Sequence, residues 1–393
     1  MHLTSVISRS PSAILARLKQ INAHNAGTVL FVLSSPNKSS ELSTLVDALV
    51  NISPHSTVGC LSASPSPGLI SCSVALFDTK TVIPFRSTIP GQEKTQVGRW
   101  HAFRKKDERE TEHLPDDVDW NNLWKPRSRA DELPGQLSNA ADISSVVYFS
   151  DLFPEGLSSA ISDALPRATQ LGLLASSTPF ITGRPVTLFY NQQVYETGAV
   201  GIALRRSRSL QFRLPTDIQP LGDSLNVTHS EGNLISTLNS SNPTQLLLSR
   251  IRAAGIDTTS SSAISFKEDM QFYLGVLGSN HSSLDQLHLI TSGDTSRGTI
   301  ALNTQTTAPP VGSRVRFFHR RRSSSDPMPM SLPMDRDRII FTALPPDETK
   351  QNGFSLEVEL DNQFLAASEN GFVLGRPGES PWLCNVPGCI SLL

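Results

Sequence analysis

The chain has 393 residues, 38% of them hydrophobic and 6% aromatic, with a formal charge of -2 and an isoelectric point near 6.5. That length exceeds one ordinary core, so two domains are expected, and a near-neutral charge offers no field for gathering nucleic acid or anionic lipid. No apolar run approaches the ~18 residues needed to span a bilayer, so neither nucleic acid nor membrane is expected as a partner.

The four cysteines, Cys60, Cys72, Cys384 and Cys389, include no CxxC pair and form no dense framework, which reads as reduced thiols of an intracellular protein. The nine histidines show no metal-ligand spacing with them, and no GxxxxGK[ST] phosphate loop is present; no metal or cofactor is expected. Before Glu41 the chain has no acid but carries Arg9, Arg17, Lys19 and Lys38. That composition suits a mitochondrial transit peptide. The alternative, which we prefer, is that Ile14, Leu15, Leu18 and Ile21 form one face of a first helix in a cytoplasmic protein.

In chain order, Thr28–Leu33 (TVLFVL) is a short apolar run typical of a buried strand. Leu42, Leu45, Val46, Leu49 and Val50 then repeat at i, i+3, i+4, i+7, i+8, the spacing of an amphipathic helix. A strand ending in GCLSASP (Gly59–Pro65) follows, then LISCSVALF and TVIPFRS. The run Arg104–Asp131 is dense in charge of both signs and reads as a solvated insertion. From Val146–Phe149 the pattern starts again, with Leu157, Ala160, Ile161, Ala164 and Leu165 as the helical face. Gly172–Ser176 (GLLAS) is its second strand, followed by PVTLFY and GAVGIALRR. A weaker third echo runs from Ile339–Leu344 to FLAASENGF at Phe364–Phe372, beyond a charged loop at 320–338.

Each copy is thus a strand–helix–strand unit, since parallel strands need such a crossover. The fold class is α/β, with mixed sheets and flanking helices. In open α/β sheets ligands sit at the carboxyl ends of strands. The small residues closing each unit therefore mark a candidate site at Gly59, Cys60, Ser62 and Ser176. Thr228, His229, Glu231 and Asn233, clustered around Gly232, are a third contribution. The alternative for Thr228 and Asn233 is that they satisfy backbone groups at a strand end.

The stretch QPLGDSLNVTHSEGN (Gln219–Asn233) resembles the FIST family of intracellular sensory modules, as do Gly198–Gly201 (GAVG) and Pro243 around it. The early VLFVLSS and VGCLSAS match that family's opening strand and turn. The resemblance implies an N-terminal FIST-like domain over residues 1–255, with the insertion at 104–131. It implies a divergent C-terminal partner domain over 256–393. It also implies a non-catalytic sensor of a small polar ligand, with amino acids proposed for the family. In animals the family also follows an F-box in a ubiquitin-ligase substrate receptor. Only about 27 residues precede Thr28 here, too few for an F-box, so the rival reading is a protein-recruiting adaptor lacking its own.

Two further features carry chemistry. Gly222-Asp223-Ser224-Leu225 spells GDSL, and Asp285 with His288 could complete a Ser/His/Asp set with Asn233 as oxyanion donor. Its position after Pro220 and the short spacing to Asp285 argue against an esterase. Arg320-Arg321-Arg322-Ser323 resembles a basophilic kinase site, making Ser323 a candidate phosphorylation site.

Overall fold

The structure, a computed structural model, describes residues 1–21, 27–34, 39–53, 55–89, 133–138, 140, 142–206, 208–256, 271–278, 284–294, 298–304, 307–320, 337–345 and 357–393. Seven strands form one mixed sheet in the order β19 (Val358–Asp361), β1 (His2–Ser8), β4 (Ile70–Phe77), β2 (Thr28–Ser34), β3 (Ser56–Ser62), β8 (Leu188–Tyr190), β9 (Gln193–Tyr195). A six-stranded sheet runs β22 (Trp382–Cys384), β21 (Phe372–Gly375), β7 (Thr169–Leu174), β6 (Ser145–Ser150), β10 (Ala199–Leu204), β5 (Val82–Ser87). A four-stranded sheet follows as β11 (Gln211–Arg213), β23 (Ile390–Leu392), β18 (Arg338–Ala343), β20 (Gln363–Ser368). The other six strands close a barrel: β12 (Ile218–Glu231), β13 (Leu234–Leu238), β16 (Thr299–Leu302), β15 (Leu284–Asp294), β14 (Phe272–Leu277), β17 (Arg314–Arg320).

Three of these sheets repeat one pattern. β1-β4-β2-β3, β5-β10-β6-β7 and β11-β23-β18-β20 each contain two antiparallel pairings and then one parallel pairing. The parallel pairs are joined by α2 (Ser39–Val50), by α4 (Glu155–Ala164), and by residues 344–362, which include β19. The third echo in the sequence is therefore a third parallel pair. Its register agrees as well: Phe31 faces Gly59, Tyr148 faces Gly172 and Phe341 faces Ala366. A methyl group on Gly59 would run into the Phe31 ring, and one on Gly172 into Tyr148. These glycines make room for a ring on the neighbouring strand, rather than the sharp bend expected of them.

The two large sheets pack face to face. Leu30, Val32, Val58 and Cys60 meet Val147, Phe149, Leu171 and Leu173 in one apolar cluster that also takes in Phe341 and Phe364. Helices cover the outer faces, with α1 (Pro11–Gln20) and α2 placing Ile14, Leu18, Leu42, Leu45 and Leu49 over Phe31 and Leu33. On the other side α4 sets Leu157, Ala160 and Ile161 against Val146 and Tyr148, beside the short α3 (Gly135–Ser138). With each face covered, β2, β3, β4, β6, β7 and β10 are almost wholly buried, which is why they read as apolar runs.

Residues expected to precede the first strand are themselves structural. β1 lies inside the seven-stranded sheet, and α1 buries Ile14 and Leu18 as the periodicity predicts. The polar interior of β1 hides it from hydropathy. Ser5 Oγ sits 2.7 Å from Ser73 Oγ, donates to the Gln363 carbonyl and accepts from the Leu365 amide.

The barrel has its own core of Leu225, Val227, Ile235, Leu274, Val315 and Phe317, with Leu247 and Ile251 of α6 (Pro243–Ala253) packed into it. Asn242 caps α6 by accepting from the Gln245 amide. At 220–222 β12 is irregular: its pairing with β17 shifts between Leu221 and Leu225, and Gly222 has a φ of +71°. The barrel draws β12 and β13 from before residue 255 and β14 to β17 from after it, so the expected cut at 255 does not follow the sheets. The insertion 104–131 and most of 320–338, Ser323 included, lie outside the described residues. Among the described residues no helix is long and apolar enough to cross a membrane.

Candidate functional site

The carboxyl ends of β3, β7 and β20 are hydrogen-bonded into one cluster. Past β7, the Ser176 amide donates to the Leu61 carbonyl at 3.2 Å, and past β3 the Ala63 amide donates to the Ala367 carbonyl at 3.2 Å. Asn370 Nδ2 closes the triangle on the Ala175 carbonyl at 2.9 Å. At the centre, the Glu369 carboxylate accepts from Ser176 Oγ at 2.7 Å and from the Ser177 amide at 3.1 Å. Ser62 and Ser176 are buried beneath a rim formed by Ser64, Ser177, Glu369 and Asn370. The arrangement offers hydroxyls, backbone amides and one carboxylate, a set suited to a small polar molecule.

The carboxyl end of β6, parallel to β7 and on the same side as this cluster, is closed by a different carboxylate. Asp151 accepts from the Phe153 amide at 2.9 Å and from the Gly198 amide at 2.7 Å. Burial pushes its carboxyl above the ordinary range, and those two backbone bonds oppose the shift. Gly198 has a φ of +81°, and a methyl group there would strike the Ser87 carbonyl; the first glycine of GAVG is a backbone requirement.

Of the residues expected at the site, Ser62 and Ser176 stand in this cluster. Gly59 and Cys60 are core positions: Gly59 lies under the Phe31 ring, and Cys60 is fully buried. Burial pushes the Cys60 thiol well up, away from the reactive thiolate. Thr228, His229, Glu231 and Asn233 are not brought to the strand ends. They form the β12–β13 hairpin of the barrel, turned at Gly232-Asn233, with exposed His229 and Glu231 side chains. Thr228 Oγ1 accepts from the Ser240 amide, Asn233 Nδ2 donates to the Leu302 carbonyl, and the Gly232 carbonyl accepts from Ala308. Their contacts are the local, backbone-satisfying ones that such residues make in turns.

The Ser/His/Asp set is likewise not assembled. Ser224 Oγ accepts from Arg314 Nε at 2.8 Å, Asp285 pairs with Arg376 at 3.6 Å, and His288 Nε2 lies 3.1 Å from Gln286 Oε1.

A family model for the FIST N domain matches residues 27–241. The chain belongs to the FIST family. The match takes in both large parallel pairs, the GAVG strand and the first hairpin of the barrel, and it ends before α6. FIST domains are sensory domains of signal transduction. No curated protein matches the chain. Within this FIST fold, the residues that sequence reasoning missed are Glu369 and Asn370, far beyond the matched segment. The signal that points to them is FLAASENGF, the third echo, in which Glu369 falls level with Ser62 of the first copy and Asn370 level with Ser176 of the second.

Proposed function

We propose that this FIST protein is a non-catalytic cytoplasmic sensor that binds a small polar ligand carrying an ammonium group, such as an amino acid, at the joined ends of β3, β7 and β20. The observation that carries the reading is the Glu369 carboxylate, oriented by Ser176 and Ser177 at the centre of that cluster. A carboxylate fixed by two donors is a ready partner for an ammonium group, and its hydrogen bonds are charge-assisted. The free, buried cysteines suit a reducing compartment, the mitochondrion being the alternative to the cytoplasm.

The test is calorimetric titration of the full chain with a panel of amino acids, followed by the Glu369→Gln variant. Saturable binding is expected for at least one amino acid, with affinity at least tenfold weaker in Glu369→Gln, or about 1.4 kcal/mol. Binding of no amino acid, or equal affinity in the variant, rejects the reading.

One observation favours a second reading, a protein-recruiting adaptor of the ubiquitin-ligase type. Phe180 and Ile181 of α5 (Pro179–Thr182), just past β7, and Phe153, just past β6, are exposed. Exposed large apolar side chains grouped on one rim are a feature of protein interfaces. Loss of a co-purifying protein on Phe180→Ser, with amino-acid binding absent, would select this reading.

A further inference from the structure

The far end of the third repeat carries a cavity of about 230 Å³ lined by Arg208, Ser209, Gln211, Asp337, Arg338 and the chain end at Leu392 and Leu393. It opens at the first residue of β18, whereas Ser368 is the last residue of the parallel β20 and Glu369 follows it. Five strand steps, from Gln363 level with Arg338 to Ser368, separate them, roughly 17 Å at ~3.3 Å per residue. It is therefore a different place from the strand-end cluster.

Its polar groups are mostly donors. Arg338 Nη1 is buried without a hydrogen-bond partner. Arg208 Nη1 donates to the Asp337 carbonyl at 3.3 Å, and Nη2 donates to the Met1 thioether at 3.3 Å, a weak acceptor. Ser209 and Gln211 add a hydroxyl and a carboxamide. Among the described residues of the lining, Asp337 is the one acidic side chain. Burial lowers the Arg208 guanidinium below its ordinary value even against the charge of Asp337, so that cation is incompletely compensated. A buried guanidinium N–H without an acceptor is costly. Two planar guanidinium forks beside a small cavity match the oxygens of a tetrahedral oxyanion.

We infer that Arg208 and Arg338, with Ser209 and Gln211, form a binding site for a small oxyanion of the phosphate class. The chemistry is shared by free inorganic phosphate and by a phosphate monoester. Titration calorimetry of the full chain with each of inorganic phosphate and glycerol 3-phosphate, at ionic strength held by chloride, tests the site and separates the sources. Saturable phosphate binding is expected, weakened at least tenfold by Arg338→Met and by Arg208→Met. Arg213→Met, on the exposed part of β11, should change it less than twofold. Tighter binding of the monoester assigns the site to an ester group, and tighter binding of the free ion assigns it to phosphate itself; both support it. Absence of saturable phosphate binding to the unaltered chain overturns the inference, as does undiminished affinity in the arginine variants. Should Arg338→Met fail to fold by circular dichroism, Arg208→Met alone decides the matter.

Discussion

At Gly172 a single hydrogen stands where Tyr148 needs space. The Tyr148 ring and the Gly172 backbone are opposite one another in parallel register, and an added methyl group would overlap the ring. Gly172→Ala should therefore destabilise by about 1–3 kcal/mol through overpacking, read from urea unfolding, and Tyr148→Leu in the same chain should recover part of the loss. An unchanged midpoint in Gly172→Ala would refute this account of the repeated glycine. His288 makes a second prediction. It is buried, 6.0 Å from Trp382, and desolvation pulls its imidazole from 6.5 down to about 4. The unfolded imidazole takes up its proton near pH 6.5, while the folded one does so only near 4. Across that window the unfolded state binds more protons, so stability falls as the pH is lowered through it. The full effect is roughly 3 kcal/mol. Unfolding measured from pH 7 to 4 should show this loss, and His288→Gln should remove most of the slope. An identical slope in that variant would assign it to other groups.

Among the elements, a largely buried ion pair between Asp217, just before β12, and Arg320 of β17 sits where the barrel meets the carboxyl-terminal segment. Arg320, the last residue of β17, bonds Asp217 at 2.5 Å through Nε and the Pro387 carbonyl at 3.0 Å through Nη1. Asp217 and Arg320 are 7% and 15% exposed, so screening is weak, and removing one partner leaves a buried charge. Asp217→Ala should cost about 3 kcal/mol in chemical unfolding, and adding Arg320→Met should restore most of it. A loss below about 0.5 kcal/mol would show the pair to be energetically idle. The elements differ in how plainly the sequence announces them. The faces of α2 and α4 were legible because helical spacing survives wherever one side is buried. β1 was not, because its buried positions include the polar Thr4 and Ser5, Ser5 being held by hydrogen bonds to Ser73, Gln363 and Leu365. β12 was not legible as one strand, because Pro220 and Gly222, ordinary turn residues, occupy a register shift whose existence depends on β17, nearly a hundred residues later.

The whole molecule joins three copies of one sheet pattern, with their parallel pairs ending in one cluster and a barrel inserted within the third copy, between β11 and β18. Half of the candidate site was legible: Ser62 and Ser176 follow from the rule that α/β sheets bind at strand carboxyl ends. The hairpin at Thr228–Asn233, rich in polar residues, was placed with them because composition records which groups are present and not which sheet holds them. The sequence by itself determined the repeated strand–crossover–strand units, the buried strands and the helical faces, because each depends on residues a few positions apart and on the simple requirement that apolar faces be covered. Only the tertiary structure decided that the third unit supplies Glu369 and Asn370, that the barrel closes across residue 255, and that Arg208 and Arg338 face one cavity. Those outcomes depend on strand pairings between residues from about fifty to about two hundred positions apart, and such pairings are selected by the packing of the whole core rather than by any local pattern.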